Sequence, residues 1–182
     1  TAPRPVVPVL LEPLLVSFHQ AYPDVTVEIV ASEELVDLPV GGFDAGIRLG
    51  QFIAADMIAI RLAPSFPLTV VGSPAYLRRA KAPERIEDLG DHACLRWRRS
   101  GGALAPWTFT QGNKRVEAVV SGPFIANDFP TLLGAALEGL GLAQLPRPVV
   151  SSAIKAGRLV PVLEPFAPAA PGVFLYIPAA SR

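Results

Sequence analysis

The side chains that could do chemistry in this sequence are few and scattered. His92 and Cys94 could both bind a soft metal, but two ligands in one loop are not a site and there is no second pair. They read as a surface histidine beside a buried thiol. Asp44 and Asp56 could act as a general acid and base, yet they equally suit backbone groups at the ends of elements. Gly139-Leu140-Gly141 is half of a dinucleotide fingerprint, but it follows a helical pattern instead of joining a strand to a helix, so it reads as a helix cap. None of the three lysines follows a glycine, which excludes a P-loop, and there is no G-x-S-x-G. The sequence therefore carries no visible catalytic apparatus, and neither a cofactor nor a metal is expected.

Binding chemistry remains. Arg78-Arg79-Ala80-Lys81 and Arg96-Trp97-Arg98-Arg99 are basic clusters, the second interleaved with an aromatic ring. On a strand, Arg96 and Arg98 would share one face and Trp97 the other; a solvated, charged sheet edge is the plainest reading. Two helix starts, one after Pro3 and one at Asn127 to Phe129, should offer free backbone N–H groups suited to an anion such as a carboxylate.

The elements that would position these groups follow from the pattern. A helix is expected from Val6 to Tyr22, with Val7, Leu11, Leu14 and Phe18 as its core stripe and Val6, Val9, Pro13 and Val16 as a second apolar stripe. His19 faces away from the core stripe, and Pro13 should disturb the helix or mark a later start. Val25 to Ala31 alternates and is β-branched, so it reads as a strand; Ser32 could cap a short helix over 33–38. A strand from Asp44 to Leu49 completes a helix–strand–helix–strand rhythm, as in a parallel sheet with crossover helices. In the second half, Ser73-Pro74 opens a helix, Cys94 to Trp97 is a strand, and Trp107 to Thr110 with Arg115 to Val120 form a hairpin. Asn127 or Asp128 caps a helix with Phe129, Leu132, Leu133, Ala136, Leu137 and Leu140 on its core face.

Half the residues are apolar and 18% are charged, which suits a globular chain of 182 residues with a full core. The single cysteine points to a reducing compartment, and no apolar run is long enough to span a membrane. Net charge is zero, against nucleic-acid binding by this segment alone. The charge is unevenly spread: residues 1–71 hold three arginines and eight carboxylates, and residues 72–182 hold thirteen bases and eight carboxylates, giving −5 and +5.

The stretch EELVDLPVGGFDAGIRLGQFIAADMIAIRL, followed by VVGSPAYL, GGALAPWTF and ANDFPTLLGAALEGLGLAQLP, resembles the effector-binding domain of LysR-type transcriptional regulators over nearly the whole chain. The resemblance implies an α/β fold, with two Rossmann-like lobes of the periplasmic-binding-protein type II fold joined by two crossover strands. Lobe I would comprise 1–68 and 170–182, and lobe II 69–169. The amino-terminal winged-helix domain that contacts DNA would lie outside the sequence. The implied function is effector sensing and oligomerisation in a cytoplasmic bacterial regulator, with a small metabolite bound in a cleft between lobes. The alternative is an extracytoplasmic solute-binding protein of the same fold. By match to the family, the ligand-contacting residues would be Arg4, Pro5, Ser32, Leu49, Gly50, Trp97, Asn127 and Phe129. Pro5 stands where the family often has a hydroxyl.

The family also implies an antiparallel homodimer, with tetramers conceivable in a full-length protein. The residues support a dimer separately. The stripe of Val6, Val9, Pro13 and Val16 needs cover, and Thr131, Gly134, Ala135 and Glu138 would give the second long helix a small-residue face that another helix can approach.

Overall fold

Where the apolar period is uninterrupted the chain folds as that period demands. Where proline or a short partner strand intervenes, the element shortens. The computed structural model describes residues 1–54 and 56–179. In chain order, a π-helical segment Val7–Leu11 runs directly into α1 (Glu12–Ala21). Then come β1 (Gly46–Leu49), β2 (Met57–Ala63), β3 (Phe66–Gly72), α2 (Pro74–Ala80), a 3-10 segment Ile86–Asp91, and β4 (Cys94–Trp97). The hairpin β5 (Trp107–Gln111) and β6 (Lys114–Ala118) precedes β7 (Ile125–Ala126), α3 (Phe129–Leu137), β8 (Leu142–Pro146) and α4 (Arg147–Lys155). β9 (Val160–Val162), β10 (Ala169–Ala170) and β11 (Val173–Pro178) close the chain.

The chain divides into two compact units, Thr1–Ser65 with Pro171–Arg182, and Phe66–Ala170. It passes from one to the other twice. Residues 180–182, expected in the first lobe, lie outside the described residues.

Unit 2 is built on a sheet ordered β10-β3-β8-β4-β7, with β9 also paired to β3. Its strands alternate faces with the two-residue period of the pleat. Val70, Cys94 and Leu142 bury on one side with Tyr76, Leu89, Trp107 and Phe109, while Val71, Leu95 and Ala143 bury on the other with Leu132, Ala136, Val150 and Ala153. Local signals set the helix ends. The Ser73 hydroxyl accepts the Tyr76 N–H at 3.2 Å ahead of Pro74. Gly139 closes α3 at φ +77°, a conformation any side chain would strain.

Unit 1 departs from expectation in four places. Its sheet, ordered β1-β11-β2, is antiparallel throughout, so the parallel helix–strand rhythm is not realised as a ladder. Val25 to Ala31 pairs only through one parallel bridge, Ala2 to Ala31, and the next amide that would face it, that of Arg4, donates to the Glu33 side chain instead. Residues 33–38 form no helix. The Ser32 hydroxyl accepts the Glu34 N–H at 3.2 Å and Asp37 accepts from Val40 at 3.1 Å, two local turns that compete with a helical one. The first helix is continuous but starts in π geometry, with the Glu12 N–H reaching back five residues to the Val7 carbonyl; Pro13 follows at once and has no N–H for the preceding turn, which is the disturbance expected of it. The expected core stripe does not bury. Val7 and Leu11 are half-buried, but Leu14 is 52% and Phe18 40% exposed.

Candidate functional site

Three of the expected binding residues come together in unit 2. Trp97 ends β4, a central strand, and Ala126 of β7 lies beside it in register. The chain then turns through Asn127 and Asp128 into α3. The indole N–H of Trp97 donates to the Asn127 carbonyl at 3.4 Å, and its ring meets Phe129 at 4.8 Å between centroids, tilted by 56°. Trp97 and Phe129 are half-buried and Asn127 is exposed, so the cluster is anchored yet reachable. The central place of β4 corrects the reading of Arg96-Trp97-Arg98-Arg99 as a sheet edge. Within that cluster the Arg98 guanidinium bonds the Gly102 carbonyl at 2.6 Å, and Arg96 holds its Nε buried.

In unit 1 the ends of neighbouring segments gather Arg4, Pro5 and Ser32. Ala2 donates to Val30 O at 3.1 Å and accepts from the Ser32 N–H at 2.8 Å, and the next amide, Arg4, donates to Glu33 Oε1 at 3.0 Å. The Arg4 side chain is exposed, while Pro5 and Ser32 are half-buried. Leu49 and Gly50 sit at the end of β1, where Leu49 pairs with Val173 and the Gly50 N–H donates to Gly172 O at 3.1 Å. A Cβ on Gly50 would stand 2.8 Å from the Phe174 ring, so a larger residue would have to displace that ring.

The two helix starts offer fewer free amides than expected, with those of Phe129 and Val7 left over. At α3, Pro130 has no N–H, Thr131 donates to the Asp128 carboxylate at 2.8 Å and Leu132 donates to the Asp128 carbonyl at 3.4 Å. At the first helix, Pro5 and Pro8 have no N–H, Arg4 is taken by Glu33, and Val6 donates to the Pro3 carbonyl at 2.9 Å. Neither Glu33 nor Asp128 was expected among the binding residues. Asp128 was visible only as a cap, and Glu33 as one acid among several.

Two further groups escaped the sequence reading. Arg48 is 2% exposed on β1; it donates to Ile47 O at 2.7 Å, to Thr1 Oγ1 at 3.3 Å and to the Glu34 carbonyl. A lone arginine between Ile47 and Leu49 was the available signal. His92, expected at the surface, is 7% exposed and its Nδ1 lies 3.0 Å from the Tyr76 hydroxyl, which also accepts the Ala93 N–H at 3.0 Å. Burial lowers the His92 pKa from its ordinary value and favours the neutral ring, whose tautomer sets the direction of the hydrogen bond with Tyr76. Beside it, burial pushes the Cys94 thiol up to about 12, far from a reactive thiolate. Asp44 and Asp56 are both exposed. Among the described residues no three His, Cys, Asp or Glu side chains group as a metal site, and no helix is long and apolar enough to cross a membrane.

Of the residues expected at a dimer contact, Val9 is 40% and Val16 68% exposed and Pro13 is exposed, with Val6 half-buried. On α3, Thr131 and Glu138 are exposed and Gly134 and Ala135 half-buried, and a Cβ on Gly134 would meet nothing within 4 Å.

Comparison with known proteins agrees with this architecture. A family model described as the LysR substrate binding domain matches residues 1–182. A transcriptional regulator of Pseudomonas aeruginosa is 41% identical over 170 residues, 93% of this chain and 56% of that protein. The HTH-type transcriptional regulator PgrR of Escherichia coli is 35% identical over 170 residues, 93% of this chain and 57% of that one. Among solved structures, CrgA, a LysR-type transcriptional regulator from Neisseria meningitidis, superposes with a TM-score of 0.84 at 26% identity, covering 97% of this chain and 59% of that one. The fold is therefore the two-lobed, periplasmic-binding-protein-like α/β fold. The chain spans a little over half the length of the curated relatives it matches.

Proposed function

The chain belongs to the LysR substrate binding domain family, and we propose that it senses a small metabolite on behalf of a longer, cytoplasmic bacterial transcription regulator. The relatives named above are regulators, which leaves the extracytoplasmic solute-binding alternative without support. DNA contact would come from a segment outside these 182 residues, since their net charge is zero. The domain would act by binding and subunit arrangement, without catalytic turnover.

The effector would touch Trp97, Asn127 and Phe129 in unit 2, and Arg4, Pro5, Ser32, Leu49 and Gly50 would form a candidate subsite of unit 1 by itself. The observation that carries this reading is the Trp97–Asn127–Phe129 cluster, a half-buried aromatic pair locked by one hydrogen bond beside a helix start. Such a pair gives a ligand a flat apolar wall with fixed geometry. The test is Ser32→Ala and Trp97→Leu in the full-length regulator. Loss of effector response with the fold retained is expected, and an unchanged response in both variants refutes the assignment.

The domain would also form a homodimer through the exposed stripe of Val9, Pro13 and Val16 on the first helix and the small-residue face of Thr131, Gly134, Ala135 and Glu138 on α3. A two-fold arrangement uses each face twice and would set the −5 region of one chain against the +5 region of its mate. Val9→Asp with Val16→Asp should abolish the dimer in analytical ultracentrifugation. A dimer that survives places the interface elsewhere.

A further inference from the structure

The hairpin of unit 2 has one edge that is tied down and one that is not. β5 is held to the main sheet, where the Gln144 side chain accepts the Thr108 N–H at 3.3 Å and donates to the Thr108 carbonyl at 2.8 Å. Among the described residues β6 pairs only with β5, and outside that ladder no hydrogen bond involves the backbone of residues 114–120. Strands of an antiparallel pair turn alternate N–H and C=O groups outward, so the far side of β6 is an open edge. A groove of about 310 Å³ lies beside it. Val116, Glu117, Ala118 and Val119 all line that groove, together with Ile86 and Glu87 of the 3-10 segment. Successive residues of a strand point to opposite faces, so four in a row share one cavity where it follows the strand's edge.

This edge is complementary to itself. Its groove is lined by two carboxylates, Glu87 and Glu117, and by no basic side chain. Neither carboxylate is in an ion pair among the described residues. The strand opens with two exposed bases, Lys114 and Arg115, and the Arg115 guanidinium donates to Thr108 Oγ1 at 3.4 Å. Bases on an edge ordinarily deter another strand. Here an antiparallel copy of the same strand would carry them to the acidic stretch. A two-fold axis normal to the sheet keeps every side chain on its own face, so directly paired residues must be an even number apart. Centred on Lys114, Arg115 or Glu117, such a pairing opposes like charges. Centred on Val116, it sets Arg115 against Glu117 twice and joins the half-buried Val116 to its mate.

We propose that the free edge of β6 is a self-association surface, at which two copies of this chain pair antiparallel with Arg115 of each opposite Glu117 of the other. It is separate from the helical interface described above, and a single pair of strands makes it the weaker of the two. The test is sedimentation of the 182-residue chain from the micromolar to the millimolar range, in which the weakest concentration-dependent step belongs to β6. Glu117→Arg turns both Arg–Glu pairs into Arg–Arg pairs and should weaken that step at least about tenfold, since each pair changes from attraction to repulsion. Adding Arg115→Glu restores opposite charges in the reversed sense and should recover the step. In proton–nitrogen correlation spectra the amides of residues 114–119 should move over the same range in the wild type and the double variant and stay fixed in Glu117→Arg. The amides of Trp107 and Phe109, on the paired strand, report that the hairpin is intact. Should Glu117→Arg lose the hairpin, Arg115→Glu alone carries the same prediction. No step in the wild type, a step that the single reversal leaves unmoved, or a double variant as weak as the single one overturns the proposal.

Discussion

Unit 2 buries leucines on both faces of its sheet, with Leu95, Leu132, Leu142 and Leu145 at 1% exposure or less, whereas α1 of unit 1 buries none of its ten residues. Of the eighteen large apolar side chains that are exposed among the described residues, fourteen belong to unit 1, although it is the smaller unit. Hydrophobic stabilisation scales with apolar area removed from water, so the two units do not stand on equal terms. Unit 2 holds itself together through its own core. Unit 1 rests on a three-stranded sheet, one parallel bridge and the hydrogen bonds of buried Arg48, and its helix presents apolar surface outward. Under the proposed function that difference would have a use, since the outward surface would serve association while unit 2 keeps a fixed scaffold for the Trp97 cluster.

Substitution can break the comparison. Leu132→Ala empties a site that is 1% exposed and packed against Ala136, Ala143 and Val150. It should cost about 2–5 kcal/mol in urea denaturation, because the removed methyl groups leave a cavity that closes only in part. A cost near zero would mean that unit 2 is not packed as described.

A smaller effect depends on pH and is also confined to unit 2. Burial favours the neutral form of His92, so its folded pKa lies below the ordinary 6.5. The corresponding stability is present above pH 6.5 and is lost as pH falls from there through the folded value, because the unfolded chain takes up the proton more readily. The melting temperature should therefore drop between pH 8 and pH 5 (a range chosen to bracket about 6.5), and His92→Gln should flatten that part of the profile. An unchanged slope in the variant would assign the acid sensitivity to other groups.

The smallest effect should come from unit 1. Val16→Ser alters a residue that is 68% exposed, and in dilute solution it should change stability by less than about 0.5 kcal/mol. A loss comparable to that of Leu132→Ala would show that α1 is packed in the monomer after all, and would remove the contrast between the units.

How much of this was legible in the sequence depended on how local the cause was. The caps at Ser73 and Asp128, the glycine stop at Gly139, the strand Cys94–Trp97 and the hairpin after Trp107 are each fixed by a few adjacent residues, and each lies where the pattern put it. Val25 to Ala31 has the composition of a strand but not its ladder, since a ladder also needs a partner, and among the described residues its one bridge is Ala31 to Ala2. Burial of Leu14 and Phe18 could not be read either. Periodicity identifies an apolar stripe but not whether anything packs against it.

The sequence by itself determined the family and the two-part α/β fold, because motifs in order along a chain survive without knowledge of contacts. It also narrowed the α3 cap to Asn127 or Asp128, and the structure settles on Asp128, which holds the Thr131 N–H. Only the tertiary structure decided that Trp97 meets Asn127 and Phe129, thirty residues on. The same holds for the placement of Glu33 on the Arg4 amide and for the burial of His92 against Tyr76. Those are long-range pairings, set by which strands lie side by side, and no local propensity encodes which distant partner fills a given hydrogen bond.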